Sequence, residues 1–450
     1  MATISLGSYA ATKYPLCERR IPDELYRKYN VYRGLRDERG KGVMAGITNV
    51  STIYGKQIIN GEEVPAEGIL LYRGYALSDL VAGESLKKHR LSEECAYLLL
   101  FGELPTKKEL TEFSKVLAAA RTLPRNFTRD VIMKAPSNDV MNSIIRSVLT
   151  LASYDKSSLD TSMENVLRQS LMLIATMPML AVYAYQAYNH YIKGGSLIIH
   201  RPDKDLSWSE NLLMMLRPDK QYTELEARVL DLAMVLHMEH GGGNNSTFTT
   251  HVVTSTGSDT YSTIAAALAS LKGPKHGGAN LKAVKMMDDI RKHVRDIKDD
   301  EEIAAYLRRI LNKDAFDKEG LIYGMGHAVY SLSDPRTKVF ESFVESLARE
   351  KGRDEEFELY AAVERIAPEV ICEKRRIYKG VCPNVDFLSG FVYRMLGIPD
   401  EMFTPIFAIA RMAGWSAHRM EELANMQKII RPAFKSIMDE RPYVPIGERK

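Results

Sequence analysis

The sequence has few cysteines, and their placement excludes several kinds of protein. The four cysteines are Cys17, Cys95, Cys372 and Cys382, which lie far apart and form no CxxC pair. A zinc ribbon and a thioredoxin-type motif are therefore excluded. So few cysteines in 450 residues also argue against a disulfide framework and fit a reducing compartment.

The net charge is also small, and the sequence has no long apolar runs. The chain has 61 basic and 58 acidic residues, and the resulting net charge of +3 is too small to indicate a nucleic-acid partner. No run approaches the roughly 20 apolar residues that cross a bilayer, so we expect no membrane partner. With 45% hydrophobic and 26% charged residues, the chain is predicted to be globular with a sizeable core.

The first twenty residues bear on localisation. They are rich in Ser, Ala and Thr and contain no acid before Glu18, as a transit peptide would. They also lack an apolar core and have few arginines. We therefore expect a cytoplasmic protein.

Most of the chain has helical periodicity, and one segment does not. Residues 42–75 are rich in Gly, Thr, Ile and Val and contain the turn signal Asn60-Gly61, which predicts short strands or irregular structure. Helices are predicted over about 223–240, where Thr223 and Glu226 form a possible capping box, and over about 259–272. No repeat and no strand–helix alternation is visible, so the fold is predicted to be mainly α.

Three histidines lie beside glycines, in loops between predicted helices. His240 precedes three glycines, His276 lies in GPKHGGAN, and His327 follows Gly-Met-Gly. Neighbouring glycines let a ligand approach the backbone closely, and loops held by rigid helices often carry catalytic groups. These three histidines are therefore candidate site residues.

A metal or a nucleotide triphosphate is a weaker interpretation of the same loops. His237 and His240 are three residues apart, but no HExxH motif or clear third ligand accompanies them, so we expect no metal. The sequence has neither GxxxxGK[ST] nor GxGxxG after a strand. Phosphate binding by a glycine-rich loop is therefore only weakly indicated.

The remaining candidates are an aspartate and several arginines. Asp386 falls in the first turn of a predicted helix capped by Asn384. Arg336 follows Asp-Pro, whereas Arg411 and Arg431 lie in apolar or Pro-bounded surroundings. Arginines in such places are commonly snorkelling or structural. Together with the three histidines, however, they suit an anionic substrate with carboxylates and a proton transfer at carbon.

These segments resemble the citrate synthase family in order and spacing. The resemblance is carried by HMEHGGGN (237–244), GPKHGGAN (273–280), GMGHAVY (324–330), Asp-Pro-Arg (334–336) and Asn-Val-Asp (384–386), and it extends from about residue 46 to the region of Arg431. It implies a mainly α, two-domain, multi-helical fold with a small irregular or β segment near the N-terminus. The large domain would comprise about 1–276 and 391–450, and the small domain about 277–390, with the site between them.

The resemblance also implies a reaction, the condensation of acetyl-CoA with oxaloacetate, with no permanently bound cofactor. Asp386 would remove a proton from the thioester methyl, and His276 would stabilise the enol. His327 would polarise and protonate the oxaloacetate carbonyl, and His240 would help to hold that substrate.

The arginines would bind carboxylates, and the protein would be a homodimer. Arg336 and Arg411 would grip oxaloacetate, because the planar guanidinium fork matches a carboxylate. Arg431 would reach across from the partner subunit. Many family members carry Lys or Arg four residues after the His327 equivalent, where this chain has Ser331. Lys272 and Lys275 are therefore candidates to contact CoA instead.

Three alternatives remain open from the sequence. A 2-methylcitrate synthase would use propionyl-CoA with the same residues, since one methylene changes selectivity by only about 1–3 kcal/mol. A non-catalytic helical scaffold would have no need to keep His276, His327 and Asp386 together. A metal-dependent hydrolase would lose its activity in the presence of a chelator.

Overall fold

The structure is a computed structural model that describes residues 6–18, 20–37, 41–83, 85–375, 380–425 and 428–449. The chain divides into two compact units. Unit one comprises residues 1–46 and 431–450, and unit two comprises residues 47–430. The candidate site residues lie in unit two, with the exception of Arg431.

Unit two begins with an antiparallel sheet of order β1-β2-β3. Its strands are β1 (Ser51–Ile59), β2 (Glu62–Tyr72) and β3 (Tyr75–Ala76). The turn between β1 and β2 is Asn60-Gly61, and both residues have positive φ, +53° and +84°. Two successive residues with positive φ match the twist of a hairpin, which is why Asn-Gly occurs here. The strands expected within residues 42–75 are confirmed.

The remainder of unit two is helical. Its helices are α3 (Leu77–Ala82), α4 (Leu91–Phe101), α5 (Lys107–Ala120), α6 (Val140–Leu151), α7 (Met163–Tyr191), α8 (Trp208–Leu216), α9 (Glu224–Met238), α10 (Asn245–Thr254), α11 (Thr260–Leu271), α12 (Ala279–His293), α13 (Asp300–Leu311), α14 (Pro335–Glu350), α15 (Asp354–Arg375), α16 (Val385–Met395) and α17 (Phe403–Asn425). Helices α9 and α11 confirm the two helices predicted above. Thr223 and Glu226 form the expected capping box.

Helix α17 is the centre of the core. It packs against α4, α7, α9 and α10, and nearly every side chain from Phe403 to Arg419 is buried. A helix that is buried on all sides must satisfy its polar side chains internally. Arg411, His418 and Arg419 on α17 are therefore the polar groups whose partners need an explanation.

Helix α7 is long and apolar enough to cross a membrane by length and composition. The sequence analysis did not anticipate such a segment. Most of its apolar window is buried inside the protein, where residues from Leu173 to Ala187 pack in the core. This burial is what a central helix of a helical domain requires, because all its faces meet other helices.

Unit one contains two short helices and an extended C-terminal segment. The helices are α1 (Leu6–Lys13) and α2 (Asp23–Lys28). In the C-terminal segment, Phe434 is 95% exposed, Tyr443 81% and Ile446 79%. Large apolar side chains that are exposed in this number commonly mark a surface that another molecule covers.

The predicted mainly α architecture is confirmed. The predicted division at residues 276/277 and 390/391 stays a prediction, since the compact units divide the chain at residues 46/47 and 430/431 instead.

Candidate active site

His240 and His327 lie side by side, although 87 residues separate them in the sequence. Their ring centroids are 4.9 Å apart. The Tyr330 ring stacks on His327 at 4.7 Å and meets the edge of His240 at 5.6 Å. Nδ1 of His327 accepts the backbone N–H groups of Val329 and Tyr330, at 3.0 and 3.2 Å. In the neutral ring the proton therefore lies on Nε2, which makes Nε2 a hydrogen-bond donor.

The loop that carries His327 is bonded to the start of α16. The Gly326 N–H donates to the Cys382 carbonyl at 2.8 Å, and the Asn384 N–H donates to the Gly324 carbonyl at 2.9 Å. The Asn384 side chain also donates to the Gly326 carbonyl at 2.8 Å. Gly324 has φ +81°, and a Cβ there would lie 2.7 Å from Cα of Phe387. Only glycine allows the two segments to approach so closely.

Asp386 lies in the first turn of α16, as predicted. Asn384 is the N-cap, and its side chain accepts the backbone N–H of Asp386 at 3.0 Å. Burial raises the pKa of the Asp386 carboxyl to about 6, and the positive charges of Arg336 and Arg411 limit the rise. A carboxylate with this pKa is a stronger base than an ordinary aspartate and is still ionised at neutral pH.

Arg411 is a buried guanidinium with unused donors. Its Nε donates to the His237 carbonyl at 2.6 Å, and its group lies 4.8 Å from the Phe407 ring. Nη1 and Nη2 are buried and have no partner. Burial lowers the pKa of Arg411 to about 10, so it remains charged at neutral pH. Two unpartnered donors on a buried cation form a binding position for a carboxylate.

Arg336 lies in the first turn of α14 and is only 4% exposed. Its Nε and Nη2 form a bidentate pair with Asp334, at 3.0 and 2.6 Å. Burial alone would lower the pKa of Arg336, but the pairing with Asp334 raises it above the ordinary value. The sequence analysis did not assign a role to Asp334. It occupies two of the guanidinium donors and leaves Nη1 for a ligand.

His276 is held by the neighbouring helices. Its Nε2 lies 3.1 Å from Oγ of Ser246, and that Oγ accepts the indole N–H of Trp415 at 3.2 Å. Burial, and then the charge of Arg411, lower the pKa of His276 to about 4. The ring is therefore neutral at physiological pH and has one N–H to donate.

Arg411 is the common electrostatic neighbour of the candidate residues. Its charge acts on His240, His276 and Asp386. The sequence analysis considered His237 only as a metal ligand. Both ring nitrogens of His237 are buried without partners, and burial, with the two arginines, lowers its pKa well below the usual value. His237 lies in the last turn of α9, and its ring packs 4.5 Å from that of Phe407.

The lysine and the C-terminal arginine candidates lie in different surroundings. Lys272 is paired with Asp139, while Lys275 is exposed in the His276 loop. Arg431 is exposed and belongs to unit one. The roles suggested for Lys272, Lys275 and Arg431 stay predictions. In the part of the chain that the structure describes, no group of three or more His, Cys, Asp or Glu side chains could hold a metal ion.

This geometry can be compared with known proteins. The family model described as "Citrate synthase, C-terminal domain" matches residues 35–433. The chain belongs to the citrate synthase family. It is therefore an enzyme of a family that transfers an acyl group.

Individual relatives agree in sequence and in structure. Citrate synthase from Synechocystis sp. is 35% identical over 91% of this chain and 92% of its own length. A 2-methylcitrate synthase from Shewanella oneidensis is 31% identical over 91% of this chain and 97% of its own. The solved ternary complex of carboxymethyl coenzyme A and oxaloacetate with citrate synthase from Thermoplasma acidophilum has a TM-score of 0.75 and 28% identity, and the match covers 93% of this chain and 99% of that one.

Proposed function

We propose that this protein condenses acetyl-CoA with oxaloacetate and water to form citrate and CoA. The observation that carries the proposal is a pair of unlike groups, Asp386 with its raised pKa and the buried Arg411 with two unpartnered donors. The reaction needs both a base for a carbon acid and a receptor for a dicarboxylate. The relative of known structure binds oxaloacetate and a CoA analogue.

In the first step Asp386 takes a proton from the methyl group of the thioester. The C–H electron pair forms the C=C bond of the enolate, the ionised form of the enol, whose oxygen receives a hydrogen bond from His276. A donor aimed at such an oxygen contributes about 3–4 kcal/mol to the barrier reduction. The donor is Nδ1–H of His276, which requires the Ser246 hydroxyl to donate to Nε2 of His276, at 3.1 Å, instead of to Oδ1 of Asn244, at 3.0 Å.

In the second step the enol carbon attacks the ketone carbon of oxaloacetate. Nε2–H of His327 polarises that carbonyl and delivers the proton to its oxygen as the C–C bond forms. His240, Arg336 and Arg411 hold the two carboxylates. Hydrolysis of the resulting thioester by water gives citrate and releases CoA.

A thiol-release assay with oxaloacetate tests this proposal. Wild type should release free thiol from acetyl-CoA, and Asp386→Ala should lose activity by at least about 100-fold because the base is gone. Asp354→Ala is the matched control, since Asp354 is an exposed aspartate in the first turn of α15. Wild type that releases no thiol from any acyl-CoA would refute the proposal.

A second acyl donor belongs in the same assay. Relatives named 2-methylcitrate synthase are 31–32% identical to this chain, close to the 35% of a citrate synthase. We expect a higher kcat/KM with acetyl-CoA than with propionyl-CoA. The reverse ranking would assign the 2-methylcitrate reaction to the same residues.

We also propose that the protein is a homodimer in which a partner covers the exposed apolar residues of the C-terminal segment and receives Arg431. The proposal is supported by Phe434, Tyr443 and Ile446, which are 79–95% exposed. Light scattering should give twice the 50.8 kDa chain mass. Mixing Arg431→Gln with Asp386→Ala subunits should restore part of the activity if each site borrows Arg431 from its partner.

A further inference from the structure

A row of four side chains runs from the turn before His240 towards the surface of unit two. Oε1 of Glu239 lies 3.0 Å from Nε2 of His418, and Nδ1 of His418 lies 3.1 Å from Nε2 of His251. Nδ1 of His251 lies 2.7 Å from Oε2 of Glu422. Glu239 and His418 are fully buried, whereas the Glu422 side chain is 20% exposed.

The three contacts in this row require three protons. Each contact joins two atoms that are both acceptors unless a hydrogen lies between them. Two neutral histidines supply one N–H each, which leaves one contact as a repulsion between lone pairs. The row is fully bonded when the carboxylates of Glu239 and Glu422 are ionised and one of the two histidines is an imidazolium.

Two carboxylates, those of Glu239 and Glu421, face the His418 ring, so a positive charge in the row is stabilised most at that ring. The Glu421 carboxylate lies 3.9 Å from Nδ1 of His418. Burial, and then the charge of His418, lower the pKa of His251, which keeps that ring neutral. Although burial opposes ionisation, His418 and Arg411 lower the pKa of Glu239 to about 2. Arg73 is the further cation whose charge interacts with Glu239 and Glu421.

Ionised Glu239 in turn fixes the backbone beside His240. Its Oε1 accepts the Gly241 N–H at 2.5 Å and the Ser51 hydroxyl at 2.8 Å. Gly241 has φ +82°, so the chain turns sharply immediately after His240. A Cβ on Gly414 would lie 2.5 Å from Oε2 of Glu239, which shows how tightly α17 confines this carboxylate. A change in the charge of Glu239 therefore acts directly on the turn that presents His240.

We propose that His418, His251 and Glu422 are positioning residues for the condensation, which keep Glu239 ionised and thereby hold His240 against the oxaloacetate carboxylate. This inference rests on the proposed function. It predicts an effect on oxaloacetate binding rather than on the chemical step. It also predicts that the effect depends on hydrogen bonding through position 251 and not on the bulk of the side chain.

Steady-state kinetics with substitutions at position 251 test the proposal. His251→Leu removes both bonds of the ring, and we expect KM for oxaloacetate to rise at least fivefold while kcat stays within twofold. His251→Gln offers an amide oxygen and an amide N–H about as far apart as the two ring nitrogens, so it should restore KM to within twofold of wild type. His293→Leu, at the end of α12, is the control, because His293 also contacts a carboxylate and a tyrosine hydroxyl but lies outside this row.

The pH dependence separates this role from a merely structural one. When the row loses its third proton at high pH, one contact becomes a repulsion between lone pairs and the Glu239 carboxylate is held less firmly, so KM for oxaloacetate should rise on the alkaline side. In His251→Leu the His418 imidazolium has lost the ring nitrogen that accepts its hydrogen bond, and in Glu422→Gln that ring has lost its carboxylate partner. The rise in KM for oxaloacetate should therefore begin at a lower pH in both variants. Unchanged KM in His251→Leu, equal damage by His251→Leu and His251→Gln, or coincident pH profiles would each overturn the proposal.

Nuclear magnetic resonance tests the proton itself without reference to turnover. Protein with ¹⁵N-labelled histidine should show an imidazolium signal at pH 8 that is absent from His418→Gln. If that signal is missing from wild type, the proposal fails even where condensation is active. If the signal is present but wild type condenses no acyl-CoA, the proposed function fails while the protonated row stands.

Discussion

The ionisation of Asp386 predicts how both rate and stability depend on pH. Burial raises its pKa from 3.8 to about 6, and each pKa unit corresponds to about 1.4 kcal/mol. The base works only as a carboxylate, so kcat/KM should rise with pH and level off above pH 7. At pH 5 only about a tenth of the groups are ionised, and the rate should be about tenfold below the plateau.

The same group affects folding in the opposite direction. Because the pKa is higher in the folded state, the associated stability is fully present below 3.8 and is lost as pH rises through about 6. Asp386→Asn mimics the protonated form at every pH. The free energy of unfolding of the variant minus that of wild type should therefore be about 2 kcal/mol larger at pH 8 than at pH 4.

Two measurements decide the matter. Thiol release between pH 4.5 and 8.5 gives the rate profile, and urea denaturation at pH 4 and pH 8 gives the stability difference. A flat profile between pH 5 and 7 would refute the assignment of Asp386 as the base with a raised pKa. So would a stability difference between Asp386→Asn and wild type that does not depend on pH.

The other predictions concern the oxyanion donor, the carboxylate site, the β-hairpin and metal ions. His276→Ala should lower kcat by about 100-fold or more with little change in KM for oxaloacetate, and equal losses in both would contradict an enol-stabilising role. Arg411→Lys should raise KM for oxaloacetate at least tenfold, since an ammonium cannot replace a planar fork, and an unchanged KM would argue against carboxylate binding there. Gly68→Ala would place a Cβ 2.2 Å from the Ser333 carbonyl oxygen and should lower kcat/KM, whereas Gly42→Ala, which meets open space, should not. A chelator such as EDTA should leave thiol release unchanged, and loss of activity restored by added metal would favour the hydrolase alternative.

The periodic part of the fold was predictable from the sequence. The capping box of Thr223 and Glu226 and the turn at Asn60-Gly61 are local signals, because each depends on residues that are neighbours in the chain. The N-cap at Asn384 was predictable for the same reason, and it correctly placed Asp386 in the first turn of α16.

The long-range pairings of the site were not predictable in the same way. Glu239 and His418 are 179 residues apart, and neither has a local pattern that points to the other. The pairing of Arg336 with Asp334 could have been predicted, since only one residue lies between them, but the sequence does not show that both are buried. Arg411 lies in an apolar helix, where snorkelling is the common outcome, and only the packing around α17 shows that it is enclosed.

The bonds that join the His327 loop to the start of α16 have a consequence for catalysis. Three backbone and side-chain bonds tie Gly324 and Gly326 to Cys382 and Asn384, so the segments move as one mechanical part. The distance between His327 and Asp386 is thus set before any substrate arrives. A motion that changed the distance of this part from His276 would leave its internal spacing unaltered. Substrates of different length must then be accommodated by the side of the site that carries His276.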